Sequence, residues 1–275
     1  MEQIIQAVVF GLIQGLTEFI PISSTAHLRV IPALLSWGDK GAAFTAVIQM
    51  GTLLATFVYF KTDILDLTKG FINAIKNKKD FFKNPNSRIF ILIIIGTIPI
   101  SLAGVIFKKF IENEARGLYI ISASLILLAI ILFIAEKVSV HKKDFTEITI
   151  KDGIIIGLAQ ALSLIPGSSR SGVTITAGLL CGLKRDVAAR FSFLLSIPAI
   201  TLSGFYELYT ERTILLNENF LSLIIATFVS GVIGYLSIAF LLNYLKTKSN
   251  LLFIIYRIII GILILLLLST GTLIN

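Results

Sequence analysis

Apolar and polar positions fall in long blocks along this 275-residue chain rather than alternating residue by residue. Apolar blocks of about 20 residues mark helices able to cross a bilayer. The pattern predicts such spans at 42–60, 89–107, 117–136, 187–209, 220–245 and 251–273. Two further blocks, 3–36 and 152–182, are broken midway by Pro21 and by Pro166-Gly167. In the first, residues 3–20 are apolar at helical spacing. The piece after the break, 24–36, offers about 13 residues, or roughly 20 Å of helix, against a hydrocarbon layer of ~30 Å. Each broken block is therefore predicted to be a re-entrant helical hairpin that enters and leaves on one side. Irregular backbone survives at that depth only when protein covers it or when it lines a polar cavity.

The two broken blocks resemble each other. G-L-I-Q-G-L-T at Gly11–Thr17 matches G-L-A-Q-A-L-S at Gly157–Ser163, and P-I-S-S-T-A at Pro21–Ala26 matches P-G-S-S-R-S at Pro166–Ser171, with one residue deleted between. Phe44-Thr45-Ala46 and Phe191-Ser192-Phe193 open the span that follows in each half. An odd number of spans separates the blocks, which inverts the second copy and brings the two tips together near the midplane, a plan known from transporters. The expected fold is an all-α polytopic membrane protein with an inverted-topology repeat, two re-entrant hairpins and about six full transmembrane helices. It forms one integral membrane domain over 1–275, with repeat halves at about 1–136 and 152–275.

Composition agrees. Hydrophobic residues make up 56% and charged residues 15% of the chain, and mean hydropathy is +0.91; a soluble domain carries roughly 25% charge. The formal charge of +8 would suggest nucleic acid in a soluble protein. Here the basic residues sit in loops between apolar blocks, so they report topology and no nucleic-acid partner is expected. Placing the basic loop 61–88 in the cytoplasm also puts 137–151, 183–186 and 246–250 inside. Loops 37–41, 108–116 and 210–219 then fall outside, with both termini external. The N-terminus lacks the basic region of a signal peptide and is expected to be retained. Cys181 is the single cysteine and reads as packing.

Candidate chemistry gathers at the two breaks. Gln14–His27 reads Q-G-L-T-E-F-I-P-I-S-S-T-A-H, and Gln160–Thr174 reads Q-A-L-S-L-I-P-G-S-S-R-S-G-V-T. Ionisable groups at membrane depth are costly and usually functional. Ser23-Ser24 and Ser168-Ser169 should open the second arm of each hairpin, where unpaired N–H groups and the helix dipole suit an anion. Plain helix capping accounts for Ser23 and Ser168 equally well. Arg170 adds a guanidinium able to fork onto phosphate oxygens. Glu18 follows Gln14 by one helical turn, so both face one direction. His27 shares a face with Ser24. A serine beside a histidine or carboxylate can act as a nucleophile. Glu18, with Gln14, is also the candidate holder of a divalent cation, and an ion pair between Glu18 and Arg170 is the plainer alternative.

Other polar positions carry less. Gln49 and Ser196 line the cavity or bond between helices. Arg190 and Arg257 lie near predicted cytoplasmic ends and are expected to snorkel. Trp37, Tyr206, Glu207 and Tyr209 look interfacial. No GxxxxGK[ST], HExxH, CxxC or GxGxxG motif occurs, which disfavours nucleotide use and a structural zinc.

These two stretches resemble the signatures of the bacterial undecaprenyl-diphosphate phosphatase family, the bacitracin-resistance family. Gln14 and Glu18 match its [E/Q]-x-x-x-E pattern. Pro166, Gly167, Ser169, Arg170, Ser171 and Thr174 match P-G-x-S-R-S-x-x-T. Ala26 stands where many members have glycine, and Gln14 leaves one carboxylate fewer. The resemblance implies hydrolysis of the lipid carrier diphosphate to its monophosphate and inorganic phosphate, at the outer face of the bacterial cytoplasmic (inner) membrane. It implies a divalent cation (Mg2+ or Ca2+) as cofactor. It makes Glu18, Ser24, His27 and Arg170 the catalytic group, with Gln14, Ser23, Ser168, Ser169, Ser171 and Thr174 binding substrate. The expected partners are a polyprenyl diphosphate lipid and the bilayer, with a homodimer as a candidate assembly. In the expected mechanism Ser24 attacks the terminal phosphorus and His27 or Glu18 takes its proton; direct attack by water is the competing route. The rival function is a lipid-phosphate transporter or flippase, which the inverted repeat suits equally well. A transporter has no use for the proton-transfer pair Glu18 and His27, which favours the enzyme.

Overall fold

The computed structural model describes residues 1–38, 40–78, 80–107, 111, 117–210 and 219–274, apart from the side chain of Ala42. Among them the helices are α1 (Glu2–Phe19), α2 (Ser24–Leu34), α3 (Gly41–Tyr59), α4 (Lys61–Lys76), α5 (Pro85–Ile106), α6 (Leu118–Val138), α7 (Ile150–Ala161), α8 (Arg170–Leu180), α9 (Arg185–Thr210), α10 (Phe220–Leu245) and α11 (Leu251–Ser269). No strand occurs among the described residues; Lys143 and Leu183 form an isolated bridge. Helices α5, α6, α9, α10 and α11 are long and apolar enough to cross a membrane. A sixth span results if α3 is taken with α4, which is bent 71° from it. Five of the predicted spans therefore stand by themselves and 42–60 only together with α4; α5 begins earlier than expected, at Pro85, because Asn84 accepts from the amides of Asn86 and Ser87.

The basic loop expected over 61–88 is largely a helix. In α4 the buried Leu67 and Ala74 share one side while Lys61, Lys69 and Lys76 stay out, so apolar positions too sparse for a span still form a packing stripe against α5. Arg190 does not simply snorkel. Its guanidinium pairs with Asp63 of α4 and stacks on Phe145, 4.1 Å from the ring centre.

Loop contacts sort the helix ends onto two sides. Glu136 accepts from Arg185 and from the backbone and side chain of Asn250. The Lys184 amide donates to Lys143 O, and Arg88 donates to Thr146 O. The loops assigned to one side by charge thus touch one another. At the other end of α10, Asn219 Nδ2 donates to Gln3 Oε1 at 2.9 Å, beside the start of α1. Most of the loops at 108–116 and 210–219 lies outside the described residues.

Hairpin α1–α2 begins at the Asn219 end, and Trp37 returns to Phe10 of α1, ring centres 6.1 Å apart. Hairpin α7–α8 begins where Lys143 Nζ meets Asp152 and returns to Gly182, whose carbonyl accepts from Lys142 and Lys143. Each hairpin is re-entrant, and they enter from opposite sides. Small residues let the arms sit deep in the bundle. A Cβ on Gly157 would lie 2.4 Å from Gly96 Cα, so α7 and α5 touch backbone to backbone.

The breaks follow from proline. A residue before proline is pushed out of helical geometry, and both Ile20 (ψ 133°) and Ile165 (ψ 118°) are extended. Ser23 (φ 77°) and Ser169 (φ 66°) then adopt left-handed backbone and cap α2 and α8, accepting from Ala26 N and Gly172 N. The repeat register differs from the sequence expectation here. Ser23 corresponds to Ser169, not to Ser168. The spacing from Gly11 to Ser23 equals that from Gly157 to Ser169, so no deletion is needed.

Candidate active site

Glu18 ends the last full turn of α1 and is the hub. Its side chain is 4% exposed. Oε2 accepts from Gln14 Nε2 at 2.9 Å, one turn back on α1, and from Ser24 Oγ at 2.9 Å, the first residue of α2. Oε1 accepts from Gln49 Nε2 of α3 at 2.8 Å and from Arg170 Nη2, the first residue of α8, at 2.7 Å. One carboxylate thus joins four elements and both hairpin tips. A buried ion pair is tolerated only when its remaining valences are met, and here four donors meet the carboxylate. Arg170 makes one more contact, Nη1 to Ser196 O at 3.4 Å. Its other N–H groups form no bond among the described residues.

Ser24 Oγ donates to Glu18, so its proton already points at an acceptor, the arrangement of an activated nucleophile. His27 does not join this pair. Its Nδ1 lies 2.7 Å from Ser23 O, and its Nε2 lies 2.7 Å from the Tyr256 hydroxyl of α11, with the rings stacked. A carbonyl only accepts, so Nδ1 carries the proton, and in the neutral ring Nε2 accepts from Tyr256. His27 therefore fixes the carbonyl of the left-handed Ser23, next to Ser24. The shared helical face expected for Ser24 and His27 does not bring them into hydrogen-bond contact, because the imidazole is bonded at both nitrogens elsewhere.

In the second tip, Ser169 Oγ caps α8 and lies 3.2 Å from Ser171 Oγ. Ser171 also donates to Ile20 O across the tips, at 3.4 Å. Thr174 Oγ1 bonds Arg170 O and Ser192 Oγ, steadying the backbone of Arg170 against α9. Ser168 is buried, and its hydroxyl has no partner among the described residues.

Arg257 overturns its expectation. It does not snorkel; it is wholly buried on α11. Its Nη2 donates to Ser168 O at 3.0 Å, with Gly167 O at 3.5 Å and Ser124 O at 3.4 Å. Pro166 and Gly167 free the carbonyls of Gly167 and Ser168 from helix bonding, and Arg257 is what reaches them. Three site neighbours escaped the sequence reading in whole or part: Gln49, Tyr256 and Arg257. The usable signal was a lone polar residue inside an apolar span.

Tyr256→Phe keeps the stacked ring and removes the hydroxyl. One hydrogen bond of about 1 kcal/mol disappears, so kcat/KM for the reaction at this site should fall roughly fivefold, with the melting temperature nearly unchanged. Steady-state kinetics beside a thermal melt checks this; unchanged kinetics would remove Tyr256 from the site.

Among the described residues no cluster of three or more His, Cys, Asp or Glu exists. Next to Glu18 on α1, however, Gln14 Oε1 is buried without a partner among those residues. One carboxylate and one amide oxygen suit a hard dication that shares its coordination with substrate phosphates, not a cage built from protein alone.

A family model described as Bacitracin resistance protein BacA matches residues 7–263. The chain is 54% identical to a protein named undecaprenyl-diphosphatase from Chloroherpeton thalassium, over 98% of each chain. It is 48% identical to one of the same name from Myxococcus xanthus, over 98% of this chain and 91% of that one. It is 50% identical to another from Chlorobaculum tepidum, over 97% of each.

Proposed function

This chain belongs to the bacitracin-resistance protein BacA family, and from that premise we propose that it hydrolyses undecaprenyl diphosphate to undecaprenyl phosphate and inorganic phosphate. It is a membrane enzyme. One observation carries the mechanism: Ser24 Oγ and Arg170 Nη2 both reach Glu18 from opposite hairpin tips.

Ser24 Oγ attacks the terminal phosphorus as its proton passes to Glu18. The bond from that phosphorus to the bridging oxygen breaks, and the lipid monophosphate leaves with the electron pair. Arg170 turns its unbonded N–H groups onto the phosphoryl oxygens, and the amides at the starts of α2 and α8 add to the field. Stabilising that charge is the main task in phosphoryl transfer. Glu18 passes the Ser24 proton on to the departing monophosphate. Water, its proton then taken by Glu18, attacks the phosphoserine phosphorus, the P–Oγ bond breaks, and Glu18 returns the proton to Ser24 Oγ as inorganic phosphate leaves. His27 holds Ser23, and through it the start of α2. Glu18 and Gln14 would hold a divalent cation, which would supply positive charge against the diphosphate.

The location follows from charge. The connected loops around Glu136 carry Lys137, Lys142, Lys143, Lys184 and Arg185 and are assigned to the cytoplasm of a bacterial inner membrane. The N-terminus then faces outward, and the outward opening of the site is taken from the family resemblance. Recycling of the lipid carrier for peptidoglycan synthesis, and bacitracin resistance with it, are the consequences.

The test is phosphate release from undecaprenyl diphosphate by the purified protein. Wild type should release one phosphate per lipid, and EDTA should suppress release. Ser24→Ala should lose at least about a hundredfold, and acid-quenched wild type should carry phosphate on Ser24. Substantial turnover by Ser24→Ala would replace the covalent route with direct attack by water. Lipid binding without any release would end the enzyme reading in favour of transport.

A further inference from the structure

The described residues contain a second buried cation at the tips. Arg170 is balanced by Glu18, whereas Arg257 has no carboxylate within ion-pair distance among the described residues. Among the described residues its Nε and Nη1 are buried without a partner, and so is the hydroxyl of the adjoining Ser168. The guanidinium lies against the first turn of α8: a Cβ on Gly172 would stand 2.6 Å from Nη1, and Nη2 bonds Ser168 O. It sits beside the positive end of a helix that presents Arg170 to the site. A cation there is repelled by the helix dipole, and carbonyl contacts alone leave its full charge unanswered.

We propose that Arg257 is a positioning residue for the phosphate site, and that its counter-charge is the diphosphate of the substrate. The α8 N-terminus, Arg170 and Arg257 together hold more positive charge than Glu18 cancels, and an incoming diphosphate completes the balance. Arg257 acts from behind the turn, by its field and by its hold on the Gly167–Ser168 carbonyls, without touching the reacting atoms. This rests on the phosphatase reading.

Two substitutions separate charge from clamp. Arg257→Gln keeps a donor for Ser168 O and loses the charge. Arg257→Lys keeps the charge and loses the fork. KM for undecaprenyl diphosphate, and inhibition by inorganic phosphate, are measured on purified protein beside a thermal melt. If charge governs, Arg257→Gln raises KM and the phosphate inhibition constant at least tenfold, while Arg257→Lys stays within about threefold of wild type. A folded Arg257→Gln with wild-type KM overturns the proposal. Two variants equally impaired in kcat, with KM unmoved, do the same by reducing Arg257 to a clamp. Should Arg257→Gln fail to fold, Arg257→Lys decides alone: a tenfold rise in its KM overturns the proposal, and a KM near wild type supports it. Wild type that releases no phosphate would sink the phosphatase reading itself, a different result from an active wild type with indifferent variants.

Discussion

Arg170→Ala is expected to lose about a thousandfold or more in kcat/KM for undecaprenyl diphosphate. Two effects combine. An arginine that stabilises phosphoryl-transfer charge is worth roughly 10³ to 10⁵ in rate. Its removal also strands Glu18, which is 4% exposed, with no opposing charge; breaking a buried pair costs about 3–5 kcal/mol. The variant should therefore melt well below wild type. The double variant Arg170→Ala, Glu18→Ala separates the effects, since neither charge is then unpaired: its melting point should recover toward wild type while its activity stays lost. Arg170→Lys keeps a point charge without the fork and should recover only part of the rate. An Arg170→Ala enzyme within tenfold of wild type would remove Arg170 from the chemistry.

Glu18→Gln should lower kcat on the order of a thousandfold while leaving KM near its wild-type value or below it. The carboxylate accepts four hydrogen bonds, from Gln14, Ser24, Gln49 and Arg170. An amide offers one oxygen and one NH2, so two of those donors would face another donor. The Ser24 proton loses its acceptor, and general-base help is worth about 10²–10⁴. Arg170, released from its partner, is freer to hold phosphate, which is why binding need not suffer. A loss of kcat without a rise in KM marks an interaction made in the transition state. Steady-state kinetics over substrate concentration reads it directly, and retention of more than a tenth of wild-type kcat would sink the assignment.

Much of this was legible before the coordinates, and the reason is solvent. In hydrocarbon, a proline break or a charge is costly enough to stand out, so Pro21, Pro166, Glu18 and Arg170 announced the two hairpins and their meeting. Where the cue was rotational, the sequence was silent. Arg257 lies close to the start of α11, and chain distance alone suggested snorkelling. What decides is the direction it faces, toward carbonyls freed by a break on another helix. Adjacent serines posed a similar ambiguity: nothing in Ser168-Ser169 says which takes the left-handed turn, and the wrong choice created a deletion that does not exist. Helix α4 was hidden by dilution, because Leu67 and Ala74 form a stripe only once the helix winds. Gln49 was open to two readings, cavity lining or a bond between helices, and its bond to Glu18 joins both.

The ungapped register has a consequence for descent. With Ser23 set on Ser169, Glu18 falls opposite Leu164, Ser24 opposite Arg170 and His27 opposite Val173. The copies kept their architecture and divided their chemistry. Two identical tips would have set carboxylate against carboxylate, or guanidinium against guanidinium, at a distance where like charges repel. Attraction between the tips required that the halves become unlike. Neither half of the protein holds a complete site by itself, since Glu18 and Ser24 come from one tip and Arg170 from the other.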